Sequence, residues 1–386
     1  MKVLLTIVRI VVGVLFIFSG LVKANDPSGL SYKMQEFFDV WGMSFLNDYS
    51  LAFALLMNTF EIVAGVAVLL GWQMRLFSWL LLLLIIFFTF LTGYAVLHPD
   101  QIKTCGCFGD CLPLTPLQSF LKDLILTGLI LFIFIKRKVI RPVLSAFLNG
   151  ISLALTVLFC VVLQWYVLKH LPVVDCLPYK AGNNLVEQMK VPQGAVADSF
   201  AINFKYRKNG KDVEFDMNNF PEDFNDSTYQ FVERYQKLVR PGTAQAPITD
   251  FNLTSLNGTD TTTAILNQAN TYVLLFIKDA GTAEKDWAKN AAEVEKVCKQ
   301  KGIPFYVVTA TVEAARQQLK GGNVTFLKSD ATVIKTAARV NPTFFIMRQA
   351  TVLAKYANAD FKEAIEKINV TDKLGVIVTL SLLKRY

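Results

Sequence analysis

The chain has 386 residues, 53% of them hydrophobic, and a formal net charge of +8 at pH 7. The apolar residues concentrate in roughly the first 170 positions, which excludes a single soluble domain and predicts a membrane part followed by a water-soluble part. Nucleic acid is not an expected partner: no basic aromatic patch accompanies the charge, much of which (Lys136, Arg137, Lys138, Arg141) flanks apolar runs, where membrane topology explains it. No P-loop and no HExxH helix is present, which removes the commonest nucleotide and zinc-hydrolase readings.

Five runs, residues 3–22, 51–72, 76–97, 117–135 and 143–168, approach the roughly 20 apolar residues of helix that a hydrocarbon core requires. The expected fold is therefore an α-helical membrane bundle of four helices over residues 1–140, with a fifth transmembrane helix over 141–170. Lys and Arg near helix ends stay on the cytoplasmic side, so the basic turn 136–141 and Arg75 predict a cytoplasmic N-terminus. Residues 23–50, the loop after residue 97 and everything beyond residue 170 then face outward, into the periplasm if the membrane is a bacterial inner membrane. Trp72, Trp165 and Tyr166 near run ends fit interfacial anchoring.

Charges inside spans are costly and need a partner or a purpose. Arg9 in the first run and Glu61 in the second, antiparallel run form a candidate pair. The alternative is that Arg9 snorkels to the headgroups while Glu61 is neutral and hydrogen-bonded. Lys122 and Asp123 read as interfacial.

Between the third and fourth runs lies CGCFGDC, Cys105 to Cys111, three thiols within seven residues. Cys176 follows a few residues beyond the last run and can meet this loop at the bundle's mouth. Candidate pairings include a strained Cys105–Cys107 bridge, an easier Cys107–Cys111 bridge with Gly109 at the turn, and a scheme in which two loop thiols exchange while the third pairs with Cys176. Two structural disulfides and a zinc site are the competing uses of the same four sulfurs, although an oxidising compartment opposes the free thiolates that zinc requires. Cys298 reads as a small buried residue, and His98 and His170 as interfacial ones.

The opening RIVVGVLFIFSGLVKA, Glu61 and the CGCFG of residues 105–109 together resemble the DoxX family of membrane proteins, and its MauE branch in particular. MauE-type proteins are associated with maturation of disulfide-containing periplasmic enzymes, and other DoxX-like proteins with quinone-linked sulfur oxidation. The resemblance therefore implies a thiol-disulfide role, with Cys105, Cys107, Cys111, Cys176, Glu61 and Arg9 as candidate catalytic residues, a quinone as candidate cofactor and an exported protein as candidate client. A membrane scaffold with structural disulfides is the other reading. The fifth span and a large exported region depart from the four-helix family.

Residues 171–245 read as a connector. Within it, 200–216 alternate around Asn209-Gly210, a strong hairpin signal, and 227–238 reads as helical. Residues 246–386 predict a soluble α/β domain: strand 272–277, helix 282–301, strand 304–309, helices 311–319 and 330–338, a hairpin of 343–348 and 351–357, and a last helix at 360–368. That order resembles the thioredoxin fold, and Pro342 matches its cis-proline. Where that family carries its two cysteines, this chain reads KDAGTAEKDW, with Gly281 and Glu284 in their places. The domain is thus expected to lack dithiol chemistry of its own and to bind. The apolar tail 374–383 is too short to span.

Overall fold

The computed structural model describes residues 2–99, 102, 106, 108–192, 194, 199–208, 211–216, 221, 224, 228–240, 246–319 and 324–370. Cys105, Cys107 and the tail 374–383 lie outside the described residues. The chain divides into two units, one comprising Met1–Gly182 and Asn252–Tyr386, the other Asn183–Phe251.

The first unit begins with six helices: α1 (Lys2–Asn25), α2 (Pro27–Val40), α3 (Ser50–Leu70), α4 (Met74–Leu97), α5 (Pro116–Lys136) and α6 (Ala146–Lys169). All but α2 belong to five stretches long and apolar enough to cross a membrane, and many of their large side chains, such as Leu56, Leu83, Ile125 and Phe147, point outward from the bundle. A helix that is apolar on its outer face belongs in lipid, so this is a multi-pass membrane protein in contact with the bilayer. The helix ends are encoded locally. Asp26 caps α2 through the Gly29 N–H, ahead of Pro27. Thr115 and Gln118 form a capping box at the start of α5. Gly71, at φ +66°, takes the left-handed position that closes α3.

The closest helix pair is α1 with α3. A Cβ at Gly13 would stand 2.6 Å from Leu69 Cδ2, and one at Gly65 would stand 2.8 Å from the Gly13 carbonyl oxygen. Inside lipid the burial of bulk adds little, so this close backbone approach through small residues is what holds the pair. α4 packs on α5, while α6 packs on α3 and α1. α2, a mixed polar and apolar segment for which the sequence suggested no element, forms a helix that packs Phe37 against Ala95 and Ile102.

The second unit contains a short helix, α7 (Leu185–Gln188), and a three-stranded antiparallel sheet of order β2–β1–β3, made of β1 (Ser199–Lys208), β2 (Lys211–Asp216) and β3 (Gln230–Arg240). Lys208 stands opposite Lys211, so two residues separate β1 from β2, the spacing that the hairpin signal demands. The expected helix at 227–238 is a strand instead. Its sequence holds Tyr229, Phe231, Val232, Tyr235 and Val239, aromatic and β-branched residues that suit a pleated surface, and β1 offers it an edge to pair with.

The first unit resumes with β4 (Thr254–Ser255), α8 (Thr262–Leu266), β5 (Thr271–Ile277), α9 (Trp287–Gln300), β6 (Phe305–Thr309), α10 (Val312–Gln318), β7 (Thr325–Lys328), α11 (Ala331–Ala337), β8 (Thr343–Arg348) and β9 (Thr351–Ala357), and residues 361–370 are helical. The sheet order is β4–β7–β6–β5–β8–β9, with β5, β6 and β7 mutually parallel and β8 and β9 antiparallel to their neighbours. Every residue of β5 is buried, as expected of a central strand covered on both faces. The expected helix over 282–301 starts five residues later, at Trp287, whose ring is buried and whose Nε1 donates to Gln318 Oε1 at 2.7 Å. β4, β7 and α8 are additions too short to show in the sequence pattern.

This α/β region is docked on the bundle at the end that carries the cysteine loop. Arg339 donates to Asp26 Oδ2 at 2.7 Å and to Asp110 Oδ2 at 2.6 Å, Lys355 to Asp175 at 2.8 Å, and His170 Nδ1 lies 2.6 Å from Asp360 Oδ1. The Gly182 N–H donates to the Val352 carbonyl at 2.8 Å, extending the contact through the backbone.

Candidate functional site at the cysteine loop

The loop between α4 and α5 turns on two left-handed glycines, Gly106 at φ +64° and Gly109 at φ +55°, positions that other residues adopt at a cost. Gly109–Cys111 make a single 3-10 turn, and Cys111 forms a disulfide with Cys176, the two Cα atoms 4.8 Å apart. Cys176 reaches the loop because the segment after α6 folds back: the Asn25 side chain donates to the Val174 carbonyl at 2.8 Å and accepts from its N–H at 3.0 Å. The Cys107–Cys111 bridge is therefore not formed, since Cys111 is already committed. The same bond takes two sulfurs out of the zinc set. Cys105 and Cys107 lie outside the described residues, whereas Gly106 between them is described.

Gly106 borders two cavities. The larger, ≈ 470 Å³, sits within the loop end of the bundle beneath α2 and is walled by rings such as Phe37, Trp41, Phe60 and Phe88. Its few polar groups are Ser19, Lys23, Lys33, Thr92 and Lys122. The second, ≈ 200 Å³, lies between the loop, α2 and α11 and is lined by charged groups, among them Asp26, Glu36, Lys335 and Arg339. Gly106 thus stands between an apolar chamber and a polar pocket. A chamber of this volume, mostly apolar with a few convergent polar groups, has the usual properties of a small-molecule site.

The expected Arg9–Glu61 pair is absent. Glu61 is buried and paired with Lys23, likewise buried, while Arg9 donates to the Val68 and Leu69 carbonyls at 3.2 and 3.0 Å. The antiparallel register explains the exchange. Gly13 meets Gly65 and Leu69, and Gly20 meets Asn58 and Ile62, so Arg9 stands level with the last turn of α3, about 12 Å along the axis from Glu61 at 1.5 Å per residue. There it satisfies carbonyls that a helix C-terminus leaves unpaired. Glu61 is ion-paired, and Arg9, held at the end of α3, lines neither cavity.

Asp123 is a second correction. It was expected at the interface, yet its side chain is 1% exposed; it pairs with Lys122 at 2.9 Å and accepts from Thr92 Oγ1 at 3.1 Å. Glu61, Asp123 and Lys122 all border a third, small cavity of ≈ 30 Å³. Sequence reasoning missed Lys23 altogether. The available signal was its position near the loop end of α1, opposite the start of an antiparallel α3.

On the α/β side, the loop after β5 packs against the residues that precede β8. Lys278 N–H donates to Asn341 Oδ1 at 3.0 Å, Asn341 Nδ2 donates to the Asp279 carbonyl at 2.7 Å, and the Asn341–Pro342 peptide is cis. Gly281 and Glu284 lie between β5 and α9, the Gly281 N–H donates to Asp279 Oδ1 at 3.0 Å, and Glu284 accepts from Asn358 at 2.5 Å. Tyr32 of α2 sits among Lys278, Lys335 and Arg339, and its hydroxyl accepts from Lys278 Nζ at 3.1 Å. Burial, then the Arg339 charge, push the Lys278 ammonium down to about 8. Burial also works against the Arg339 charge, but the Asp26 and Asp110 carboxylates outweigh it and hold that group above its ordinary range.

Residues 1–136 match the family model of the methylamine utilisation protein MauE. The match covers the four-helix part and the whole cysteine loop and stops before α6. Residues 200–241, in the second unit, match a domain of unknown function, DUF8463. Protein TlpB of Flavobacterium psychrophilum is 26% identical over 129 residues, 33% of this chain and 35% of that protein, so the chain spans about a third of the length of that curated relative. No solved structure matches the chain.

Proposed function

We propose that this is a thiol-disulfide oxidoreductase of a bacterial inner membrane, acting in the maturation of exported proteins and passing electrons to a quinone. In this reading the N-terminus is cytoplasmic and the loop end of the bundle, with the α/β region, faces the periplasm. The observation that carries it is the position of Gly106, which borders both an apolar chamber and a polar pocket. In this proposal the cysteines that flank that glycine in sequence exchange with a lipid-soluble acceptor on one hand and with water-borne partners on the other.

The division of labour follows from the disulfide. Cys111 and Cys176 hold the loop to the segment after α6, which leaves Cys105 and Cys107 as the exchanging pair. An incoming client disulfide or dithiol reacts through thiolate attack on sulfur, and a bridge across so small a ring is strained and readily exchanged. A quinone, when bound, supplies a two-electron, two-proton acceptor. The chamber fits one, since aromatic walls suit a planar ring and an apolar tail, and Lys23, Ser19, Thr92 and Lys122 are donors for its carbonyl oxygens.

The α/β region supports a thioredoxin-like reading through its strand order and the cis peptide ahead of β8. With Gly281 and Glu284 in the cysteine positions, it serves in this proposal to hold the client beside the loop. The match of residues 1–136 to the MauE family supports a maturation role. In the scaffold alternative the loop cysteines are structural as well as the Cys111–Cys176 bond.

Thiol trapping on the purified full chain separates the two. Reduced protein mixed with a short-chain quinone should reoxidise one loop disulfide, and Cys105→Ser and Cys107→Ser should each abolish this while Cys111–Cys176 stays closed. Loop cysteines that resist mild reductant and ignore quinone would leave the scaffold reading in possession.

A further inference from the structure

Two ammonium–carboxylate pairs stand side by side in the loop end of the bundle, Lys23 with Glu61 and Lys122 with Asp123. Both ammonium groups line the ≈ 470 Å³ chamber, and both carboxylates line the ≈ 30 Å³ cavity beside it. Glu61 Oε2 is buried with no hydrogen-bond partner among the described residues. A buried carboxylate oxygen left unpaired is costly, whereas about 30 Å³ is the share of one water in the liquid, and a water needs two to four polar partners. Glu61, Asp123, Lys122 and Ser19, all bordering that cavity, are such partners.

We infer that Glu61 and Asp123 are joined through a buried water into one proton relay that connects Lys23 to Lys122 across the floor of the chamber. Lys23, 3% exposed, also borders the polar pocket, and Lys122, 25% exposed, borders the chamber and the small cavity. In this arrangement Lys23 takes up protons at the polar pocket, and the two carboxylates with their bridging water let it exchange them with Lys122. The use of the relay rests on the quinone reading. Closing a disulfide from two thiols releases two electrons and two protons, and an acceptor in the chamber takes up both of each. Lys23 and Lys122 each hand over one proton, and the two protons freed at the loop return through the polar pocket to Lys23 and onward to Lys122. Arg9 is not part of this path, since it is committed to the far end of α3.

The linkage is testable without quinone. Infrared difference spectra of the full chain in lipid nanodiscs, recorded in ordinary and oxygen-18 water, should show a carboxylate band that shifts with the isotope of the bound water. Because one water bridges the two groups, the isotope-sensitive band should be lost in both Glu61→Gln and Asp123→Asn. Two bands removed independently by the two variants, or no water-sensitive band in the parent, would overturn the relay. With a short-chain quinone, each single variant should slow thiol reoxidation at least ten-fold and the double variant no further, since both lie on one path; multiplying effects would count against it. A parent that shows the shared band yet never reoxidises thiols with quinone keeps the relay and removes the quinone reading. Retained closure of Cys111–Cys176 in each variant reports that the bundle is assembled.

Discussion

Arg339 Nη2 donates to Asp110 Oδ2 at 2.6 Å, joining the residue three before cis-Pro342 to the residue just before Cys111. The same guanidinium also holds Asp26, the cap of α2. One side chain thus registers the α/β region, the roof of the chamber and the cysteine loop against each other.

Replacing Arg339 by Ala leaves Asp26 and Asp110 without their shared cation. Removing one partner of a buried pair costs about 3–5 kcal/mol, and the partly exposed Asp110 puts this case toward the lower end. Hydrogen exchange should accelerate over residues 108–111 and 331–341 together. Faster exchange in only one of the two segments would show that the pair does not couple them. Arg339→Lys should recover little, because an ammonium cannot address two carboxylates with the guanidinium's fixed fork.

The Cys111–Cys176 bond closes a sequence separation of 65 residues. Loop-closure arguments assign such a cross-link about 4 kcal/mol, an upper figure here because α5 and α6 are already confined by the membrane. The double variant Cys111→Ser, Cys176→Ser should insert normally but melt at lower temperature in detergent. An unchanged melting temperature would make the bond dispensable for stability.

Lys278 has its proton affinity lowered from 10.5 to about 8, chiefly by burial. Between those values the unfolded chain binds a proton that the folded chain does not, so this group's contribution to stability rises with pH across that window and is least favourable below about 8. The difference in melting temperature between the parent and Lys278→Met should therefore change in the parent's favour from pH 8 to 10.5. A difference independent of pH would contradict the lowered affinity.

Cys160 and Cys298 are free and buried, and burial, with Glu295 nearby, pushes the Cys298 thiol up to about 12. A neutral, enclosed thiol is a poor nucleophile. Maleimide should modify neither residue in the folded protein and both after denaturation. Labelling of Cys298 under native conditions would show that the α9 face of the α/β core opens readily.

The five spans were legible because hydropathy is a property of a run, and the buried strands 271–277 and 343–348 because continuous apolar residues between breakers leave few other options. Partnerships between elements were harder to read. Arg9 and Glu61 were matched by their presence in neighbouring helices, whereas the true pairing depends on the vertical register set by Gly13, Gly20 and Gly65. Asp123 looked interfacial beside Lys122 because a sequence states adjacency along the chain and not which way a helix faces. The charged residues of 227–238 permit the helix expected there, while the open edge of β1 decides for a strand over 230–240. Cys176 was placed correctly near the loop from its distance to the membrane edge alone, but its choice of Cys111 depends on Asn25, a contact across 149 positions.

The disulfide between Cys111 and Cys176 encloses α5 and α6 in a covalent hoop that passes through the bilayer twice. Cutting the chain once anywhere inside that hoop would leave both fragments on one molecule. The end of the last span is therefore tethered to the sulfur-bearing loop by two independent strands of bonds, so everything beyond Cys176 starts from a point fixed beside that loop even when the ion pairs further on let go.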